Sequence, residues 1–274
     1  MISRKRLPAI VLFVVAAIAC AYYAPSLQFG FFNDDPTGHF RWMEGRSVWS
    51  LLTDASGHSY YRPFSFILWQ LLHSILGRHD AFVLHLLNVL AHASNAALVT
   101  WLAYKLTNRL TYASLAGLLF ALYPFSYEAV PYVGSFVHPL ATLLILLTLV
   151  FYLGWQAGSS RWAFAAAHVT LTLAVFTQEN AVLTPLLMVG LELLRGDTCA
   201  CTAGASVKSP RYGTALTKAS FFIEPTLFAV LWLLIPKTAE ARTLSLDAMR
   251  ANVLPFVQAL VYPIAPLANH NPRH

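Results

Sequence analysis

Apolar runs long enough to cross a bilayer recur along most of this chain, and that repetition restricts the fold more than any single motif. A hydrocarbon core about 30 Å thick takes about 20 apolar residues of helix to cross. Inside it, every backbone N–H and C=O must be satisfied by the segment itself or its neighbours. Runs of this kind read as spans at residues 7–27, 81–104, 111–125, 136–155, 162–176, 181–194 and 220–236, the fifth and sixth being short for a full crossing. Hydrophobic residues make up 57% of the chain and charged residues 11%, whereas a soluble domain carries about 25% charged residues. The expected fold is all-α: a polytopic transmembrane helical protein of about seven spans.

The spacing divides the chain into three parts. Residues 1–194 form the transmembrane core, with a long polar and aromatic first loop at 28–80. Residues 195–219 form a Gly/Ser/Thr-rich linker, and residues 220–274 hold the seventh span and a short outer segment interrupted by Pro255, Pro263 and Pro266. Within the first loop, Pro63 to Leu76 is too short to span and suits a helix lying at the interface. Arg4, Lys5 and Arg6 precede a first run of about 20 residues, longer than the roughly 7–15 of a signal peptide, so it reads as an uncleaved anchor. Cys199 and Cys201 have poor spacing for a disulfide, and all three cysteines read as free thiols.

Short loops bearing Lys105, Arg109 and Arg161 place the N-terminus and the linker on the cytoplasmic side. On that topology Glu192, Asp197 and Glu224 are the only acids inside, and Asp34, Asp35, Glu128 and Glu179 share the outer face. The net charge of +6 is scattered and forms no dense basic patch, which gives no footing for nucleic acid. Gly-rich phosphate loops and the H-E-x-x-H pattern are absent from the sequence.

The acid pair Asp34-Asp35 follows the first span and is crowded by Phe29, Phe31, Phe32, Phe40 and Trp42. Adjacent carboxylates repel, and burial beside a second acid raises the pKa of one of them, which suits a base. The plainer reading is a turn, with Asn33 and Asp34 capping a helix before Pro36. In the second span His85, Asn88, His92 and Asn95 fall on one helical stripe. Such a stripe faces other helices or a cavity, not lipid. His92 and Asn95 suit interhelical hydrogen bonds, whereas His85 and Asn88 suit a cavity lining, together with His58, Glu179 and Asn180. Arg62, flanked by tyrosine and proline, reads either as a phosphate clamp or as an anchor snorkelling to the interface.

Several segments in order resemble the polytopic GT-C glycosyltransferases, and within them the protein O-mannosyltransferase-like membrane proteins. They are Asn33-Asp34-Asp35, then YYRPFSFILWQLLHSILG, HLLNVLAHASNAAL, AGLLFALYPFSYEAVPYVGSFVHPLATLLILLTLVFYL and TQENAVLTPLL, covering roughly Leu7 to Leu194. The resemblance implies a polyprenyl-phosphate-linked sugar as donor and transfer on the extracytoplasmic side. By position it makes Asp34 or Asp35 the catalytic acid and Glu128 a second acidic position. Arg62 would then hold the donor phosphate. The implied partners are that lipid-linked sugar, a protein, glycan or lipid acceptor, and membrane lipid. The resemblance names no definite cofactor and leaves a divalent metal open. A bacterial plasma membrane is expected ahead of the endoplasmic reticulum. The competing expectation is a non-catalytic lipid-linked sugar carrier or assembly partner, or an inactive fragment of such an enzyme.

Overall fold

The computed structural model describes residues 7–32, 35–124, 126–158, 161–202 and 215–238. Among these the regular structure is helical, and the one extended contact is an isolated bridge between Ala55 and Lys237. The principal helices are α1 (Leu7–Tyr23), α2 (Val48–Thr53), α3 (Pro63–Leu76), α4 (Ala81–Thr107), α5 (Leu110–Ala121), α6 (Val137–Gln156), α7 (Arg161–Thr177), α8 (Thr184–Thr202) and α9 (Ile223–Leu234). Asp34, the basic cluster Arg4 to Arg6 and the segment 239–274 lie outside the described residues, as do the side chains of Cys199 and Cys201.

Four stretches are long and apolar enough to cross a membrane: Leu7–Gln28, Ala81–Thr107, Val133–Gln156 and Ala215–Leu234. This identifies a membrane protein. The apolar run expected as a third span folds as α5, whose 12 residues extend only about 18 Å at 1.5 Å per residue. Its helix stops at Ala121, just ahead of Pro124, which disfavours helical geometry in the residue before it. The helix α8 runs on to Thr202, well into the stretch expected as linker, since no proline follows Pro185 until Pro210.

The axis of the bundle is α4, which packs against α1, α5 and α6. Half of its most apolar stretch is buried, and 61% of that of Val133–Gln156, against 17% for Leu7–Gln28. The inner helices are therefore α4 and α6, and α1 is peripheral. Asp80 starts α4 by accepting the Val83 N–H at 3.1 Å, the usual use of a capping carboxylate. That backbone N–H, with Arg78 beside it, holds the Asp80 carboxyl below the ordinary range.

Close approach on one side of the axis depends on small side chains. Ala19, Ala93, Ala96 and Ala121 are buried together with Val15 where α1, α4 and α5 meet. A Cβ on Gly117 would stand 1.9 Å from Thr100 Oγ1 and 3.1 Å from a Val15 methyl. Small residues let backbones approach where lipid gives helices no hydrophobic reason to associate. On the other side aromatic rings fill the gap. Tyr61 is buried, stacks on Phe228 with centroids 6.0 Å apart and donates its hydroxyl to Leu52 O at 2.8 Å. Its burial pushes the phenol up to about 12. Large apolar side chains such as Phe13, Trp162, Leu187 and Leu233 stay exposed, as a lipid-facing surface requires.

Two outcomes test this packing. Gly117→Val drives α5 away from α4 and α1 and costs about 1–3 kcal/mol, read as a lower melting temperature of the purified protein, and adding Thr100→Ala restores part of the loss. The Asp80 cap contributes above the ordinary carboxylate pKa and is lost as pH falls through its lowered folded value. The advantage of wild type over Asp80→Ala is therefore largest above about pH 5 and shrinks below about pH 4.

Candidate functional site

The N-terminal turns of α4 bind both long loops at one end of the bundle. His85 Nε2 lies 3.4 Å from Gly30 O, at the start of the first loop. Asn88 Nδ2 donates to Val130 O and Tyr132 O, both at 2.9 Å, across the second. Further down the same stripe His92 Nε2 sits 3.1 Å from Ala121 O, and Asn95 Nδ2 donates to Pro139 O at 2.8 Å. The stripe therefore satisfies loop carbonyls, the last carbonyl of α5 and one in the first turn of α6, as buried backbone groups demand. His85 Nδ1 and Asn88 Oδ1 remain buried without a hydrogen bond among the described residues.

These ties bring Asp35 to the second loop. Asp35 opens a helical turn that runs to Phe40, its N–H bound to Phe32 O at 3.3 Å. Its side chain is fully buried. Asp35 Oδ1 stands 3.0 Å from the point a Cβ on Gly134 would occupy, and the Tyr132 ring stands 2.5 Å from it. A side chain at this position would collide first with the Tyr132 ring and would also crowd the carboxylate. Phe32 packs on Tyr132 with centroids 5.2 Å apart, closing the aromatic surround. His39, on the same turn, meets His58 through a 3.2 Å contact between Nδ1 and Nε2. Trp42 and Phe66 flank His58 with centroids 5.1 Å away.

A second group assembles at the same end from distant parts of the chain. Arg62 holds Glu179 Oε2 through Nε and a terminal nitrogen, each at 2.9 Å. The guanidinium also lies 4.2 Å over the Tyr60 ring, a cation–π geometry. Both side chains are mostly buried, at 18% and 26% exposure, so the carboxylate offsets a cation that burial would otherwise penalise. Gln178 Nε2 lies 3.0 Å from His138 Nδ1, and the His138 ring feels both the Arg62 and the Glu179 charge. With Gln178 donating to Nδ1, the neutral imidazole carries its proton on Nε2.

Asp35 thus meets the second loop, and Arg62 meets Glu179. Glu128 is exposed on the turn Ser126–Ala129, six residues before Gly134, and Asn180 is exposed beside Glu179. His138 and Gln178 are site residues that the sequence pattern alone did not single out. The available signal was a lone imidazole opening an otherwise apolar 20-residue helix, opposite the polar triplet after α7. Among the described residues no three His, Cys, Asp or Glu side chains gather closely enough to hold a metal ion. At another point of the bundle, His168 bridges Glu224 and Ser220. Ser220 Oγ donates to Thr217 O at 2.7 Å, so its proton is directed to a backbone carbonyl and the arrangement is a tie between α7 and α9.

The chain is 30% identical over 173 residues to Protein O-mannosyl-transferase Tmtc2 of Drosophila melanogaster, a match covering 60% of the chain and 18% of that relative. It is also 30% identical over 167 residues to Protein O-mannosyl-transferase TMTC2 of Mus musculus and of Homo sapiens, covering 54% of the chain and 20% of each relative. The matched part thus spans about a fifth of the length of these curated relatives. No family model matches. The similarity supports a relationship to the protein O-mannosyl-transferases. All three relatives are eukaryotic, which lends no weight to the expectation of a bacterial membrane.

The Arg62–Glu179 pair can be measured directly. A double-mutant cycle with Arg62→Ala and Glu179→Gln yields a coupling of about 0.5–3 kcal/mol in the thermal stability of the purified protein. A coupling near zero shows that the two side chains do not sustain each other.

Proposed function

We propose that this chain is the membrane-embedded part of a GT-C-type glycosyltransferase with about seven spans and a cytoplasmic N-terminus. It transfers a sugar from a polyprenyl-phosphate-linked donor to a hydroxyl of a protein, glycan or lipid acceptor on the extracytoplasmic face. The observation that carries this reading is the buried Asp35 carboxylate, admitted by Gly134 between two loops that α4 ties together. The similarity to proteins named O-mannosyl-transferases supports the reaction class.

In this reading one carboxylate of the Asp34–Asp35 pair removes the proton of the acceptor hydroxyl as its oxygen attacks the anomeric carbon. The new carbon–oxygen bond forms as the bond to the lipid phosphate breaks. The sugar inverts, and the phosphate departs with the electron pair. Arg62 stabilises the charge that develops on it, with Glu179 fixing the guanidinium and His138 alongside. His85 Nδ1 and Asn88 Oδ1 are unmatched polar atoms at the same end and would receive substrate hydroxyls. Glu128 and Asn180 would line the entrance, and His58 the aromatic wall behind Asp35.

Sugar transfer from a polyprenyl-phosphate donor, measured in purified Asp34→Asn and Asp35→Asn proteins, tests the assignment. At least one variant falls by 100-fold or more, the scale of general base catalysis. Gly134→Ala collides with the Tyr132 ring and crowds the Asp35 carboxylate beside it, and lowers turnover by about tenfold through the shift this forces in the loop. Wild-type turnover in both aspartate variants would falsify the reading.

A further inference from the structure

A cleft of about 500 Å³ opens beside the aromatic wall, bounded by the turn after Asp35, the outer part of α3 and the loop into α4. Its volume lies within the roughly 300–1,000 Å³ typical of small-molecule sites. The lining includes Phe40, Arg41, Glu44, Gln70, His73 and His79, none of which the proposed reaction uses. The residues come from three separate stretches, so the cleft exists only once the first loop has folded against α3.

The chemistry of the walls selects among ligands. Phe40 and His79 stack face to face, with centroids 4.0 Å apart and planes 9° from parallel, and His73 lies 4.5 Å from His79. Burial and the neighbouring His73 push the His79 pKa below its ordinary value, so this ring is neutral at neutral pH. Among the described residues neither Arg41 nor Glu44 makes a side-chain ion pair. One cation and one anion therefore face the space with no net charge between them. Gln70 donates its amide to Arg46 O and leaves Oε1 buried without a hydrogen bond. A buried unmatched acceptor costs about 1–3 kcal/mol until a donor reaches it.

A phosphate would meet Glu44 as well as Arg41, and a purely apolar ligand would leave Gln70 Oε1 unmatched. A neutral polyhydroxylated ligand satisfies both conditions. Its hydroxyls donate to Gln70 Oε1 and Glu44 and accept from Arg41, while its C–H faces lie on the ring surfaces. We propose that this cleft is a binding site for a short neutral saccharide, separate from the reacting centre around Asp35. The proposal deepens the transferase reading only in its choice of probe, because binding requires no turnover.

Mannobiose and cellobiose titrated into the full chain in detergent, followed by calorimetry and saturation-transfer NMR, provide the test. Wild-type protein binds at least one disaccharide. Gln70→Leu, Glu44→Gln and the exposed Arg41→Ala each weaken it about tenfold, and the Glu44 and Arg41 variants keep the wild-type melting temperature. The same titration on Asp35→Asn protein, where the proposed reaction is removed, still shows binding, so failure of the transferase reading registers separately. The proposal is overturned if wild type binds neither sugar, or if folded Gln70→Leu and Arg41→Ala proteins bind as tightly as wild type. It is also overturned if inorganic phosphate, and not the disaccharide, is what these substitutions displace.

Discussion

The arrangement depends on α4 using polar side chains to hold backbone that is not helical. In a bilayer an unsatisfied carbonyl costs several kcal/mol, and irregular chain persists there only where protein supplies donors. His85 and Asn88 reach Gly30, Val130 and Tyr132, and so fasten the two loops that carry Asp35 and Gly134. Removing these donors would leave the carbonyls to water or to one another, with the apolar contact of Val89 against Val130 left to hold the second loop to α4. The same stripe continues to Ala121 and Pro139 through His92 and Asn95. One helix face therefore both assembles the bundle and defines the site.

Around that frame the charged groups are handled differently. Asp35 is enclosed by aromatic rings and admitted by the absence of a side chain at Gly134. Arg62 and Glu179 neutralise each other across two elements and leave the guanidinium face stacked on Tyr60. A buried pair of this kind adds little net stability. It does fix where a positive charge stands, which a site for a phosphate leaving group needs.

Much of the architecture was legible from residue patterns. The four long spans follow from apolar length, and α3 occupies the 14 residues from Pro63 to Leu76 because proline opens it and Gly77 closes it in the left-handed region. The polar stripe of α4 was visible from its periodicity. Its partners were not, because backbone carbonyls 42 and 44 residues beyond Asn88 carry no side-chain signature. Arg62 and Glu179 were both singled out, yet their pairing across 117 positions is a tertiary fact. Gly134 looked like any loop glycine, and the Tyr132 ring and the Asp35 carboxylate that crowd it are visible only in the fold. The helix at the expected third span is shorter than its apolar run, since hydropathy sets where a chain tolerates lipid and proline sets where a helix ends.

A structure of the protein with a polyprenyl-phosphate-linked sugar bound would test the central claim most directly. The account predicts the anomeric carbon beside the Asp34–Asp35 pair, with the acceptor side open to an aspartate oxygen at about 2.6–3.2 Å from the attacking hydroxyl and the phosphate against Arg62. A donor seated with its sugar away from the first loop, or with its phosphate clear of Arg62, would contradict it.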